Sequence, residues 1–383
     1  MFNQKGIAPV VAVTMLLGLT VLAVSGFKVW YNYYTSSEYA IIEGKKAIGS
    51  EVLLNAVLDN TLYLKSGSDT TLNSFKIVDS NNNVKCKFEG NVNISSESLV
   101  GYWTFDETVS YNSTHDYTPD LSGLGNHGIL HDLNHTNQDG NTPPRLVESK
   151  LGNALKFDGV DDYVRIQNGE DLDLIQNFTI LSLVKSQRFE NDSIYQPIFS
   201  KWNCTISCGL SSYWFGITRN EVEPGGKSNY FGFRFINESG SYIIVNESIV
   251  EEKISDNSYK LLTGILNTTN FYSYIDNHLD SNKYVSNQKI QSSNELILIG
   301  TSSHNLDDPS DIAVLKGQID EIRIYNRTLG KDEIKRLYWH SFRNLNKGIN
   351  EIDISSCNLQ KGNEYKLVLV SNDFVGEDSF VYQ

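Results

Sequence analysis

Gly152-Asn153-Ala154-Leu155-Lys156-Phe157-Asp158-Gly159-Val160-Asp161-Asp162-Tyr163-Val164 is the stretch on which the fold of most of this 383-residue chain turns. It sets short apolar runs on either side of Asp158-Gly159, a pair that makes turns because aspartate caps backbone amides and glycine tolerates a left-handed backbone. Working outward, the same grammar recurs. It opens at Gly101-Tyr102-Trp103-Thr104-Phe105-Asp106-Glu107 and continues through Asp120-Leu121-Ser122-Gly123-Leu124-Gly125-Asn126-His127-Gly128. It closes at Gly317-Gln318-Ile319-Asp320-Glu321-Ile322-Arg323-Ile324-Tyr325-Asn326-Arg327. Short alternating strands at intervals of roughly 8–12 residues, parted by Gly, Asp and Asn turns, are what a two-sheet sandwich requires. Lys331 to His340 is the one stretch here that reads as a short helix.

These motifs, in this order and across about 240 residues, resemble the laminin G-like branch of the concanavalin A-like lectin fold. The resemblance implies a β-sandwich jelly roll over residues 99–342. The chain departs from the family pattern at Leu181-Ser182-Leu183-Val184 and at Tyr259-Lys260-Leu261-Leu262, where tryptophan is usual; this bears on loop geometry rather than on the sandwich.

Residues 51–98 and 343–383 also alternate with period two, at Leu62–Lys65, Phe75–Val78, Val84–Phe88, Ile349–Ile354, Tyr365–Val370 and Ser379–Tyr382. Three short strands are about the minimum for a stable core, and neither flank alone makes one; together they do. The four cysteines form an even set, for which disulfides are the default outside the cell. Cys204 and Cys208 most simply close one loop, and Cys86 with Cys357 then joins the two flanks. Gly348-Ile349-Asn350, Ile352–Cys357 and Lys361-Gly362 with Tyr365 resemble the C-terminal hairpin of an archaeal pilin head. That resemblance implies a small β-sandwich head split by the 99–342 insert.

The N-terminus carries an uncharged run from Ile7 to Gly26, the roughly 20 residues that a membrane-spanning helix needs. Lys5-Gly6-Ile7-Ala8-Pro9-Val10 resembles the leader junction of archaeal type IV pilins, in which a prepilin peptidase cuts before the apolar helix. On that resemblance residues 1–6 are a leader cut between Gly6 and Ile7, and 7–50 a transmembrane or filament-core helix and stalk that packs with other pilin subunits. An uncleaved membrane anchor is the alternative, suited by the interfacial aromatics Trp30, Tyr31, Tyr33 and Tyr34. The expected fold class is therefore mostly β with one N-terminal membrane or filament helix, and the expected location is the cell surface.

A formal net charge of −14 argues against nucleic acid as a partner. No Gly-rich phosphate loop, paired zinc histidines or nucleophile elbow occurs in the sequence. A sandwich glycosidase needs two carboxylates flanking the scissile bond; the nearest approach, Glu351-Ile352-Asp353, lies outside the insert, so no enzymatic activity is expected. Calcium suits the turn carboxylates. Similar domains often hold one such ion, and matching residues gives Asp106, Asp120, Asn126 and Asp320 as its ligands, with Asp158, Asp161 and Asp162 as the alternative set; the same residues also read as turn caps. Trp202, Tyr213, Trp214 and Tyr230 are candidate stacking plates for glycans or glycoproteins, although aromatics in a sandwich also serve as core. Glycosylation acceptors stand at Asn93, Asn112, Asn134, Asn177, Asn191, Asn203, Asn237, Asn246, Asn267 and Asn326. The expected function is adhesion: a pilin-like filament subunit displaying a lectin-like domain, with an uncleaved membrane-anchored lectin-like receptor or surface-layer structural protein as the alternative and an anchored glycoside hydrolase as the least favoured one.

Overall fold

In a β-strand successive side chains face opposite sides of the sheet, so strands that alternate apolar and polar residues must pair and cover one face. The computed structural model of the chain describes residues 52–58, 60–89, 96–110, 116–132, 143–166, 169–187, 195–202, 211–220, 228–246, 258–303, 312–345, 348–371 and 375–383. The chain divides into two units, residues 1–89 with 345–383, and residues 90–344.

In the first unit Thr61–Ser66 pairs with both Val52–Leu58 and Gly348–Asp353, giving a three-stranded sheet. A second sheet places Thr70–Asp79 beside Glu364–Ser371, with Val375–Val381 beyond and Val84–Glu89 on the other flank. Each sheet thus joins strands from both ends of the sequence. Cys86 and Cys357 are disulfide-bonded, with Cα atoms 4.8 Å apart and a sequence separation of 271. Next to this bond lie Phe75 and Phe88, stacked at 4.5 Å.

The second unit is a sandwich of an eight-stranded and a nine-stranded antiparallel sheet. Lys316–Tyr325 is central to the first, pairing along one side with Phe178–Ser186 and along the other with Asn153–Asp158 and Leu99–Trp103. The second sheet runs Tyr242–Asn246, Ser228–Ile236, Tyr213–Asn220, Tyr195–Lys201, Ile297–Ile299, Asp162–Ile166 and onward to the strands of residues 109–132. Inward rings bridge the two sheets: Phe178 meets Phe233 at 5.7 Å, Phe233 stacks on Phe271 at 4.8 Å, and Trp103 meets Phe199 at 6.0 Å. Each buried phenylalanine contributes about 1.5–3 kcal/mol.

The N-terminal helix expected over residues 7–50 lies outside the described residues, as do the leader junction at Gly6 and Ile7 and the cysteines Cys204 and Cys208. Among the described residues no helix is long and apolar enough to cross a membrane. The α-helix that is present, Lys331–Phe342, has 12 residues and carries Lys331, Asp332, Glu333, Lys335 and Arg336. At 1.5 Å per residue it extends about 18 Å, well short of a ~30 Å hydrocarbon core. The expected fold class is corrected accordingly: the described residues are mostly β, in sandwich form, with no spanning helix among them. The helix starts where the Gly330 amide donates to Glu333 Oε2 at 2.9 Å, and it buries Ile334, Leu337, Tyr338 and Phe342.

Candidate functional site

Strands Tyr213–Asn220 and Ser228–Ile236 send Tyr213, Phe215, Phe231, Phe233 and Phe235 inward. Their alternate residues face away from the core. There Trp214 stands directly opposite Arg234, and Arg234 opposite Ile244 on the next strand. The Arg234 guanidinium lies over the Tyr195 ring at 4.1 Å and over Trp214 at 5.0 Å. Trp202 packs on Tyr242, ring centroids 5.7 Å apart. Trp214 can lie flat because Gly216 and Gly232 face each other beside it; a Cβ on Gly216 would come within 2.7 Å of the indole. Two apolar side chains of this face are open to solvent, Tyr242 at 43% and Ile244 at 41%. Burial raises the Tyr242 hydroxyl pKa, while Arg234, hydrogen-bonded to it, pulls the other way.

The four aromatic candidates therefore separate. Trp202 and Trp214 share the outer cluster. Tyr213, being one residue from Trp214, points into the core, where its hydroxyl donates to the Leu172 carbonyl at 2.9 Å. Tyr230 is on the same strand as Arg234, opposite Thr218; its side chain lies outside the described residues. Arg234, Tyr195 and Tyr242 had no motif to mark them, and the only signal available was the place of Arg234 between the inward Phe233 and Phe235.

The calcium candidates separate as well. Asp120 is saturated: Oδ1 accepts from the amides of Tyr102 (3.0 Å) and Ser122 (2.9 Å), and Oδ2 from Ser122 Oγ (2.7 Å) and the Asn126 amide (2.9 Å). The Asn126 carboxamide in turn donates to the Val100 carbonyl, and the Asn126 backbone carbonyl accepts from Trp103 Nε1. These two residues tie a loop to the strand Leu99–Trp103, and both carboxylate oxygens of Asp120 are taken up by donors. Asp106 and Asp320 are the other pair. Asp320 is fully buried; Oδ2 accepts from Ser149 Oγ at 2.6 Å, while Oδ1 meets no donor among the described residues. Burial, reinforced by Glu321 and Asp106, holds the Asp320 carboxyl up at about 9, so a cation would restore a charge that the fold suppresses. Asp158, Asp161 and Asp162 also converge, their ligand atoms within 4.8 Å of one another. Either group offers the hard oxygens calcium takes.

Glu321, beside the candidate Asp320, was not singled out in the sequence. Ile319 and Ile322 both face the core although three residues apart, which a regular strand forbids; the extra residue is a bulge opposite Leu181–Leu183, with Glu321 at φ 53°. Glu321 is paired with Arg323 at 2.6 Å, and the Tyr102 hydroxyl donates to it at 3.1 Å while accepting from Arg323 at 2.6 Å. Elsewhere, Asp353 accepts from the Ser355 amide and hydroxyl, a turn cap. His127 Nδ1 accepts from the Asp120 amide and His131 stacks on Tyr163 at 4.9 Å.

Of the glycosylation acceptors, Asn93, Asn112, Asn134, Asn191 and Asn203 lie outside the described residues, as does the side chain of Asn246. Asn177 and Asn326 are exposed. Asn237 is buried and Asn267 half-buried, each with its carboxamide oxygen taken by turn amides.

Residues 158–335 match the family described as Laminin_G_3, concanavalin A-like lectin/glucanases superfamily. No curated protein matches the chain. Among solved structures it is similar to domain 4 of an extracellular GH43 arabinanase from Geobacillus stearothermophilus, at 17% identity and a TM-score of 0.42, over 63% of this chain and 98% of that one. It is also similar to the binding domain of Paraclostridial Mosquitocidal Protein 1 (16% identity, TM-score 0.44, 64% of this chain) and to the sialidase of Trypanosoma rangeli (12%, 0.41, 64%). The chain spans 53% of the former and 33% of the latter. Residues 158–335 are a domain of the concanavalin A-like lectin/glucanase type.

Proposed function

We propose that this protein is a binding protein whose sandwich recognises glycans or glycoproteins through the outer face around Trp202, Trp214 and Tyr242. The observation that carries the reading is the half-exposed Tyr242 ring beside the Trp214–Arg234 stack, on a domain of lectin/glucanase type. A flat apolar ring next to a fixed hydrogen-bond donor is what a sugar's C–H face and hydroxyls require. Hydrolysis is the less favoured reading: Asp320 and Glu321 are 0% and 4% exposed, whereas a glycosidase needs two carboxylates that reach the scissile bond. The test is a glycan panel presented to the full chain. Binding that Tyr242→Ala weakens supports the reading; specific polysaccharide turnover would replace it.

The finer reading is display on a pilin-like filament at the cell surface. It rests on the junction Lys5 to Val10 and on the split head with its Cys86–Cys357 bond, and mass spectrometry of the mature N-terminus decides it: a first residue of Ile7 supports it and a retained Met1 removes it. A calcium ion held at Asp106 and Asp320, or at Asp158, Asp161 and Asp162, belongs to the same proposal. Chelator is expected to lower the melting temperature of the sandwich, and an unchanged melting temperature would refute the ion.

A further inference from the structure

We propose that this outer face selects a carboxylate-bearing sugar, a uronic or other acidic pyranose, with the Arg234 guanidinium taking the carboxylate and the Tyr242 ring taking the sugar's apolar face. The inference rests on the glycan-binding reading and narrows it.

Cations in the sandwich are commonly matched. Arg323 pairs with Glu321, Arg327 with Glu333, Lys260 with Asp276, and the fully buried Lys201 with Asp173. Arg234 differs. Among the described residues no carboxylate lies within ion-pair distance of it, and its buried Nε–H meets no acceptor. This happens in a chain with 46 acidic residues against 32 basic ones, where a carboxylate partner is easily supplied. A guanidinium drawn partly out of water without a counter-ion is costly, and its planar fork fits a carboxylate in two parallel hydrogen bonds.

The surroundings fix that fork in place. Tyr195 and Trp214, T-shaped to each other, pack against the guanidinium with ring centroids 4.1 and 5.0 Å from it, and the Tyr242 hydroxyl lies near enough for the guanidinium to act on its pKa. Beside it Tyr242 and Ile244 are open to solvent. Lys283 Nζ, donating to the Ile244 carbonyl at 2.9 Å, brings a second cation to the same strand. A neutral sugar would gain the stacking and leave the fork unfilled.

Calorimetry of the full chain with a panel of uronate and other carboxylated oligosaccharides, each beside its methyl ester, tests this without any variant. Some carboxylated member is expected to bind about tenfold or more tighter than its ester. Arg234→Gln should erase that difference, while Arg234→Lys should restore part of it. Equal affinity for acid and ester, or tighter binding of a sulfated oligosaccharide than of any carboxylated one, would overturn the inference and leave glycan binding standing. Failure of every acidic and neutral glycan to bind would overturn both. If Arg234→Gln fails to fold, the acid–ester comparison decides alone.

Discussion

The two units reach stability by different routes. The sandwich is continuous in sequence from residue 90 to 344 and is filled by rings that cross between its sheets. The other unit is assembled from both ends of the chain and is closed by one covalent bond between residues 271 apart. A continuous unit recovers its chain entropy through burial alone; a split one carries the cost of closing a very long loop, and a cross-link removes much of that cost from the unfolded state.

The sharpest way to break this contrast is to replace Cys86 and Cys357 together by alanine. The split unit should lose about 5 kcal/mol, the upper end for a disulfide closing so long a loop, while the sandwich's own calorimetric transition stays where it was. If both transitions fall together, the two routes are one. Phe233→Ala should do the reverse, lowering only the sandwich transition by about 3–5 kcal/mol, because that ring meets Phe178, Phe235 and Phe271. Glu321→Ala leaves the buried Arg323 without its carboxylate and should cost the sandwich about 3 kcal/mol in denaturant unfolding.

The smallest effect is a pH dependence. Burial, with Arg323 and Arg343 nearby, pushes the His340 imidazole down to about 4 from its ordinary 6.5. Below 6.5 the unfolded chain binds a proton there that the folded one refuses, so stability is lost as pH falls from about 6.5 to about 4. His340→Gln should flatten that part of the sandwich's melting curve by on the order of a few °C, with no change in the split unit.

Much of this was legible in the residues. The alternating runs around Asp158-Gly159 and Gly317–Arg327 mark strands because period two is a backbone property, and the Cys86–Cys357 bond followed from four cysteines with one close pair. The site was less legible. Tyr213 and Trp214 look equivalent as letters, yet the pleat sends one into the core and the other out. Asp120 and Asp320 look equally suited to a cation, but only a three-dimensional tally of donors separates the saturated carboxylate from the one with an open oxygen. Arg234 is conspicuous through the carboxylate it lacks, and no sequence pattern records that.

The bulge at Glu321 also sets how this strand tolerates change in length. Deleting a residue from a strand normally turns everything beyond it inside out. Here removal of Glu321 would leave Ile319-Asp320-Ile322-Arg323-Ile324, a regular alternation with every isoleucine still facing the core. Position 321 is thus the point at which a one-residue gap belongs when this strand is aligned with another. A variant shortened there would keep its hydrophobic register and forfeit only the carboxylate that Arg323 and Tyr102 share.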